Sequence, residues 1–125
     1  MLSDKDVNAT IAVKDLKAAK EFYEGTLGLQ VVVNMEPGGI VHKSGRSQLL
    51  VYASQYAGTN KATAATWVVG DALDSVVQTL KAKGVAFEHY DLPETTRQGD
   101  VHVSGDLRIA WLKDPDGNTL ALGSQ

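Results

Sequence analysis

Three imidazoles, His42, His89 and His102, are the side chains best suited to chemistry in this sequence, which has no cysteine. Thiolate nucleophiles, thiolate metal ligands and disulfides are therefore excluded. His89-Tyr90-Asp91 is the densest polar cluster, and a histidine beside a carboxylate can shuttle a proton. Strand alternation would put His89 and Asp91 on one face and Tyr90 on the other, so these two are the candidate catalytic acid and base. The histidines could instead join Asp91 or Glu36 around a divalent cation. Their spacings of 47 and 13 residues contain no short ligand motif. The plainer reading is that His42 and His89 are strand residues bonded to near neighbours and that His102 sits in a loop.

Planar and anionic ligands have other candidates. Trp111 or Trp67 could stack on a ring, and the Tyr52 hydroxyl could reach a ligand. Arg46 and Arg108 could grip a carboxylate or phosphate, although strand arginines in small domains are more often solvated or paired. No GxSxG elbow, P-loop or dinucleotide fingerprint is present. The net charge of −3 without a basic block argues against nucleic acid.

The 125 residues suit one domain with a real core. No apolar run reaches the ~20 residues that span a bilayer. The polar start Met1-Leu2-Ser3-Asp4-Lys5-Asp6 is unlike a signal peptide, so a cytoplasmic protein with no membrane partner is expected.

The elements that must position these residues form a repeat. Ala9-Thr10-Ile11-Ala12-Val13-Lys14-Asp15 aligns with Ala65-Thr66-Trp67-Val68-Val69-Gly70-Asp71, 56 residues later, with four identities. Gly28 and Gly84, candidate helix stops, share that offset. Leu16, Ala19, Phe22, Tyr23 and Leu27 make one helical stripe and Leu73, Val76, Val77 and Leu80 another. Strands are expected over 7–13, 29–35, 40–43 and 47–53, then 64–69, 85–90, 107–113 and 119–122. An insertion, 91–106, carries an extended piece at Val101-His102-Val103. Asp114-Pro115-Asp116-Gly117-Asn118 is strong turn chemistry between the last two strands.

Val13-Lys14-Asp15-Leu16, Phe22-Tyr23, Leu27-Gly28-Leu29 and the Asp114 to Asn118 turn together resemble the vicinal oxygen chelate superfamily, the glyoxalase, bleomycin-resistance and extradiol-dioxygenase group. The resemblance implies an α+β fold: two tandem βαβββ units forming a curled, cup-shaped mixed sheet with the helices outside. It implies one domain, with units near 7–53 and 62–123 and a linker at 54–61. A second chain often completes the cup, so a homodimer is expected. Metal enzymes of the group place four ligands in the cup. These positions fall here at Asn8, at its repeat partner Ala64, at Ala121, where glutamate is usual, and near Val51. Methyl groups donate nothing to a cation, so no metal and no cofactor are expected. The implied function is metal-independent binding of an antibiotic or metabolite by Asn8, Thr10, Val51, Ala64, Thr66, His89, Trp111 and Ala121. The alternative is a lyase, isomerase or hydrolase of the same superfamily using His89 and Asp91 or a relocated metal site. A non-catalytic interaction module is the third reading.

Overall fold

Alternation along the first strand decides which face is buried. Ile11 and Val13 are almost fully enclosed, while Ala9 and Thr10 are exposed. In the computed structural model, which describes residues 1–125, this strand is β1 (Ala9–Val13). It is followed by α1 (Leu16–Lys20), β2 (Gln30–Asn34), β3 (Gly39–Ser44) and β4 (Ser47–Ala53). The sheet order is β1-β4-β3-β2, with β1 parallel to β4 and the other pairs antiparallel.

The second unit repeats this plan. It comprises β5 (Thr63–Val68), α2 (Leu73–Ala82), β6 (Phe87–Glu88), β7 (Thr96–Gln98), β8 (Val101–Ser104), β9 (Leu107–Lys113) and β10 (Thr119–Gly123). Its sheet runs β5-β10-β9-β8-β7, with β6 also on β9. β5 is parallel to β10, as β1 is to β4. The fold is α+β, with two curled, unclosed sheets rather than one continuous sheet; β1 lies beside β5.

The helices differ more than the equal glycine spacing suggests. Asp15 caps α1, its carboxylate accepting from the Ala18 N–H at 3.0 Å. α1 then widens into a π-helical stretch, Glu21–Thr26, which closes with Leu27 N–H bonded to the Phe22 carbonyl. α2 begins instead with a tight 3₁₀ turn, Gly70–Ala72, and Asp71 makes no side-chain cap there. The equal stretches from Asp15 to Gly28 and from Asp71 to Gly84 are thus wound differently. Gly28 and Gly84 follow them with φ of 77° and 93°, a left-handed conformation that costs glycine little.

Both helices cover the same side of their sheets. Ile11, Val13, Tyr23, Leu49 and Val51 of the first unit join Leu73, Val77, Leu80, Leu112 and Leu120 of the second in one core. The opposite side is open, and Thr10, Tyr52, Thr66 and Val68 are exposed on it. Lys83 reaches from behind α2 to the Gly25 and Thr26 carbonyls, tying the two helical layers together.

The turn between β9 and β10 is a second tie. Asp114 is buried, and its Oδ1 accepts from the Asp116 and Asn118 backbone N–H groups at 2.9 Å each. Its Oδ2 accepts from the Tyr23 hydroxyl at 2.7 Å and the Asn118 amide at 2.8 Å. The Asn118 amide also donates to the Ala12 carbonyl of β1 at 2.7 Å. Burial, reinforced by the Asp114 carboxylate, pushes the Tyr23 phenol far above its ordinary pKa. Between β4 and β5, Gly58 packs so closely on the Asp116 carbonyl that a Cβ there would collide with it.

Candidate functional site

Register assigns each side chain to a face. Trp111 lies opposite Ala121, which lies opposite Thr66, so these three share the open face of the second sheet. Ala121 is 1% exposed and Trp111 half-buried beside it. The Trp111 indole N–H donates to the Thr63 hydroxyl at 3.2 Å, which fixes the ring. Ala64 lies next to the irregularity where β10 slips its register on β5.

In the first sheet, Thr10 faces Leu50, and Asn8 lies just before β1. Val51 does not reach this face. It pairs with Ile11 and is buried in the core, so the position matching Ala121 is held by Leu50. The expectation was one residue out, and in a strand one residue reverses the face. Tyr52, opposite Ala12, is on the open face and exposed. Asn8 borders a groove with Arg46 and Gln48 whose lining does not include Trp111. Trp67 packs against the core and donates to the Ser44 hydroxyl at 2.8 Å. Arg108 is paired with Asp74 at 2.8 Å.

The insertion supplies what the first sheet lacks. There β2 runs the length of β3, from Gln30 opposite Lys43 to Asn34 opposite Ile40. In the second unit β6 pairs with Leu112 and Trp111 only, and then leaves the sheet. β8, arriving by way of β7, takes over the other half of β9. β6 ends at Glu88, short of the strand expected to run to Tyr90, so His89, Tyr90 and Asp91 lie in irregular chain and alternation does not order their side chains. The carboxylate that meets His89 is Asp100, not Asp91: His89 Nε2 to Asp100 Oδ1 is 2.8 Å. Lys81 holds the other Asp100 oxygen at 2.8 Å. The Lys81 hydrogen bond, followed by that from His89, lowers the Asp100 pKa.

The extended piece expected at Val101-His102-Val103 forms as β8, so His102 is a strand residue rather than a loop residue. Val101 enters the core while His102, 2% exposed, faces the other side. Its ring stands edge-on to Trp111, centroids 4.8 Å apart, with Tyr90 5.3 Å from Trp111 and His89 6.5 Å from His102. The Tyr90 N–H donates to His102 Nε2 at 2.9 Å. A cavity of about 330 Å³ opens here, bordered by His89, Asp91, Thr95, Thr96, Arg97 and His102. Sequence reasoning passed over Arg97 and Asp100. Gly99-Asp100 between two alternating runs is a hairpin signal that would have placed both.

The three histidines do not converge. His42 lies on the helix face of β3, where its Nε2 meets Glu24 Oε2 at 3.1 Å. Glu36 is held by Lys20 and Asn34. Nowhere do three histidine or carboxylate side chains come together as a ligand set. Three buried side-chain atoms have no hydrogen-bond partner: His42 Nδ1, His102 Nδ1 and Asp116 Oδ2. Of these residues, His102 borders one of the principal cavities. No helix is long and apolar enough to cross a membrane.

Residues 7–122 match the family model described as Glyoxalase/Bleomycin resistance protein/Dioxygenase superfamily. No curated protein matches the sequence. Among solved structures, a lactoylglutathione lyase from Agrobacterium tumefaciens is similar, with a TM-score of 0.71 and 20% identity over 96% of this chain and 92% of that one. An antibiotic binding protein from a Streptomyces species gives 0.67 and 20% identity, over 98% and 97%. A fosfomycin resistance protein from Mesorhizobium loti gives 0.70 and 12% identity, over 100% and 94%. At these identities the likeness is one of fold.

Proposed function

The chain belongs to the Glyoxalase/Bleomycin resistance protein/Dioxygenase superfamily, and from that premise we propose that it binds a small organic molecule on its open face without a metal ion. One observation carries this reading. The positions that the resemblance assigns to metal ligands hold Ala64, Ala121, Asn8 and, by register, Leu50, while an aromatic platform of Trp111, Tyr90 and His102 lies alongside. Aliphatic carbon cannot coordinate a cation, whereas indole and imidazole edges suit a flat, partly apolar ligand. An antibiotic binding protein with the same fold lends support. A homodimer belongs to the same reading, since Val31, Val33, Tyr52 and Val68 leave apolar surface exposed that a second copy would cover.

Calorimetry against antibiotics and metabolites, with elemental analysis of protein prepared without chelator, tests the proposal. The expected result is a saturable ligand whose affinity falls tenfold or more in Trp111→Ala, with no stoichiometric metal. Stoichiometric metal lost on mutating a histidine would overturn it.

A second reading, catalysis on the same face, draws on the His89–Asp100 contact beside Asp91. It requires turnover that disappears in His89→Ala while the fold survives. A variant that turns over normally would remove it.

A further inference from the structure

His102, a residue of the cavity wall beside β7 and β8, has a donor with nothing to donate to. His102 Nε2 accepts the Tyr90 N–H at 2.9 Å, so in the neutral ring the proton sits on Nδ1. That Nδ1–H is buried and has no acceptor in the protein. Buried donors are nearly always satisfied, and an exception calls for an absent partner.

A second donor stands beside it. Arg97 of β7 is the register partner of His102, and side chains in that relation project from one face within about 5 Å at Cβ. Arg108 is engaged with Asp74, and Lys81 with Asp100, but Arg97 makes no ion pair. It is exposed at the cavity wall, free to close on a ligand. The remaining charges limit what enters. His89 is occupied by Asp100, and Asp91 adds one negative charge to the wall. A singly charged, planar acceptor suits this balance better than a phosphate dianion. Trp111 stands edge-on to His102, just behind the residues of the wall, where an attached ring could reach it.

We propose that this cavity binds the carboxylate of a small aromatic acid, the Arg97 guanidinium and the His102 Nδ1–H donating to its oxygens while its ring lies against Trp111. The proposal rests on the ligand-binding reading of the open face and names the ligand class.

The test uses the full chain with benzoate, benzamide and inorganic phosphate. Calorimetry and Trp111 fluorescence follow binding, with Trp67→Phe removing the other indole. Imidazole ¹⁵N–¹H spectra follow the His102 Nδ1–H. Benzoate is expected to bind at least tenfold more tightly than benzamide or phosphate and to move the Nδ1 proton downfield. Arg97→Gln should abolish that preference, and Asp91→Asn should strengthen benzoate severalfold. Both positions are exposed, so the result does not depend on a His102 variant folding. Equal binding of benzoate and benzamide, both quenching Trp111, would overturn the carboxylate site and leave the open-face reading standing. A Trp111 signal unmoved by all three probes, while an unrelated ligand from the wider panel quenches it, would do the same. An Nδ1 proton shifted upfield by the Trp111 ring and unmoved by benzoate would show that the donor is satisfied internally, and would also overturn the site. Silence to every ligand would sink both readings.

Discussion

Asp114 and His102 are both buried polar side chains of the second unit, yet their surroundings differ. The Asp114 carboxylate accepts four hydrogen bonds, from a tyrosine hydroxyl, an amide and two backbone N–H groups. His102 accepts one and keeps a donor unused beside a cavity. Near Asp114 the polar capacity is spent, on closing the turn and on two bonds, Tyr23 to Asp114 and Asn118 to Ala12, that join the units. Near His102 it is held in reserve, in a ribbon that only the second unit possesses. The difference teaches that burial alone does not separate scaffold from site. Completeness of hydrogen bonding together with an adjoining cavity does.

The sharpest way to break this comparison is Asp114→Ala. It strips an acceptor from four donors, and the expected loss is about 4 kcal/mol at ~1 kcal/mol or more for each bared group. Urea unfolding measures it, and a loss below that of the ribbon variants would refute the contrast. Tyr23→Phe removes one of the four bonds and should cost about 1–2 kcal/mol by the same measurement. It should also change the alkaline limb. Tyr23 holds its proton more tightly in the folded state, so its stabilisation is intact below the unfolded value near 10 and is lost as pH rises beyond it. Stability above about pH 10 should therefore fall less steeply in Tyr23→Phe.

Asp100→Asn tests the other region and should have the smallest effect. Its partners Lys81 and His89 are about half-exposed, so less than ~1 kcal/mol is expected near neutrality. The bond from Lys81, then that from His89, depresses the Asp100 pKa. Its contribution is thus present above the unfolded value near 4 and is lost as pH falls through the lower folded value. Acid unfolding followed by circular dichroism should show a shallower decline for Asp100→Asn. An unchanged acid limb would mean that the ribbon is not tied to α2 as the structure has it.

Where local chemistry decides the conformation, the sequence was readable. Asp114-Pro115-Asp116-Gly117-Asn118 reads as a turn, and β9 and β10 flank it. The repeated offset brings out two βαβββ units, and the parallel β1–β4 and β5–β10 pairs follow it. Asp15 caps its helix as its type and position suggest. The failures arise where a distant partner decides. Val51 was misplaced because the insertion 91–106 breaks the constant offset ahead of β10, so only the register, Thr10 opposite Leu50 as Thr66 is opposite Ala121, shows that Leu50 holds the position. His89 and Asp91 seemed a pair because they are near in sequence, whereas Asp100 arrives through a hairpin eleven residues on. Nothing local reveals that Asp114 meets Tyr23, and the π-helical winding after Lys20 has no signature in the apolar stripe.

The ties around the β9–β10 turn also bear on how the chain assembles. Tyr23 and Asp114 are separated by 91 residues, and Ala12 and Asn118 by 106. A half-molecule containing β9 and β10 alone would have to close its turn around a carboxylate lacking its hydroxyl donor, with an amide lacking its carbonyl. Neither half then has a good stopping point, despite having its own sheet and helix. The duplicated architecture should consequently melt as one cooperative body, with tryptophan fluorescence and far-ultraviolet circular dichroism giving coincident transitions. Contacts of such long sequence separation also place the joining of the halves among the slower events of folding.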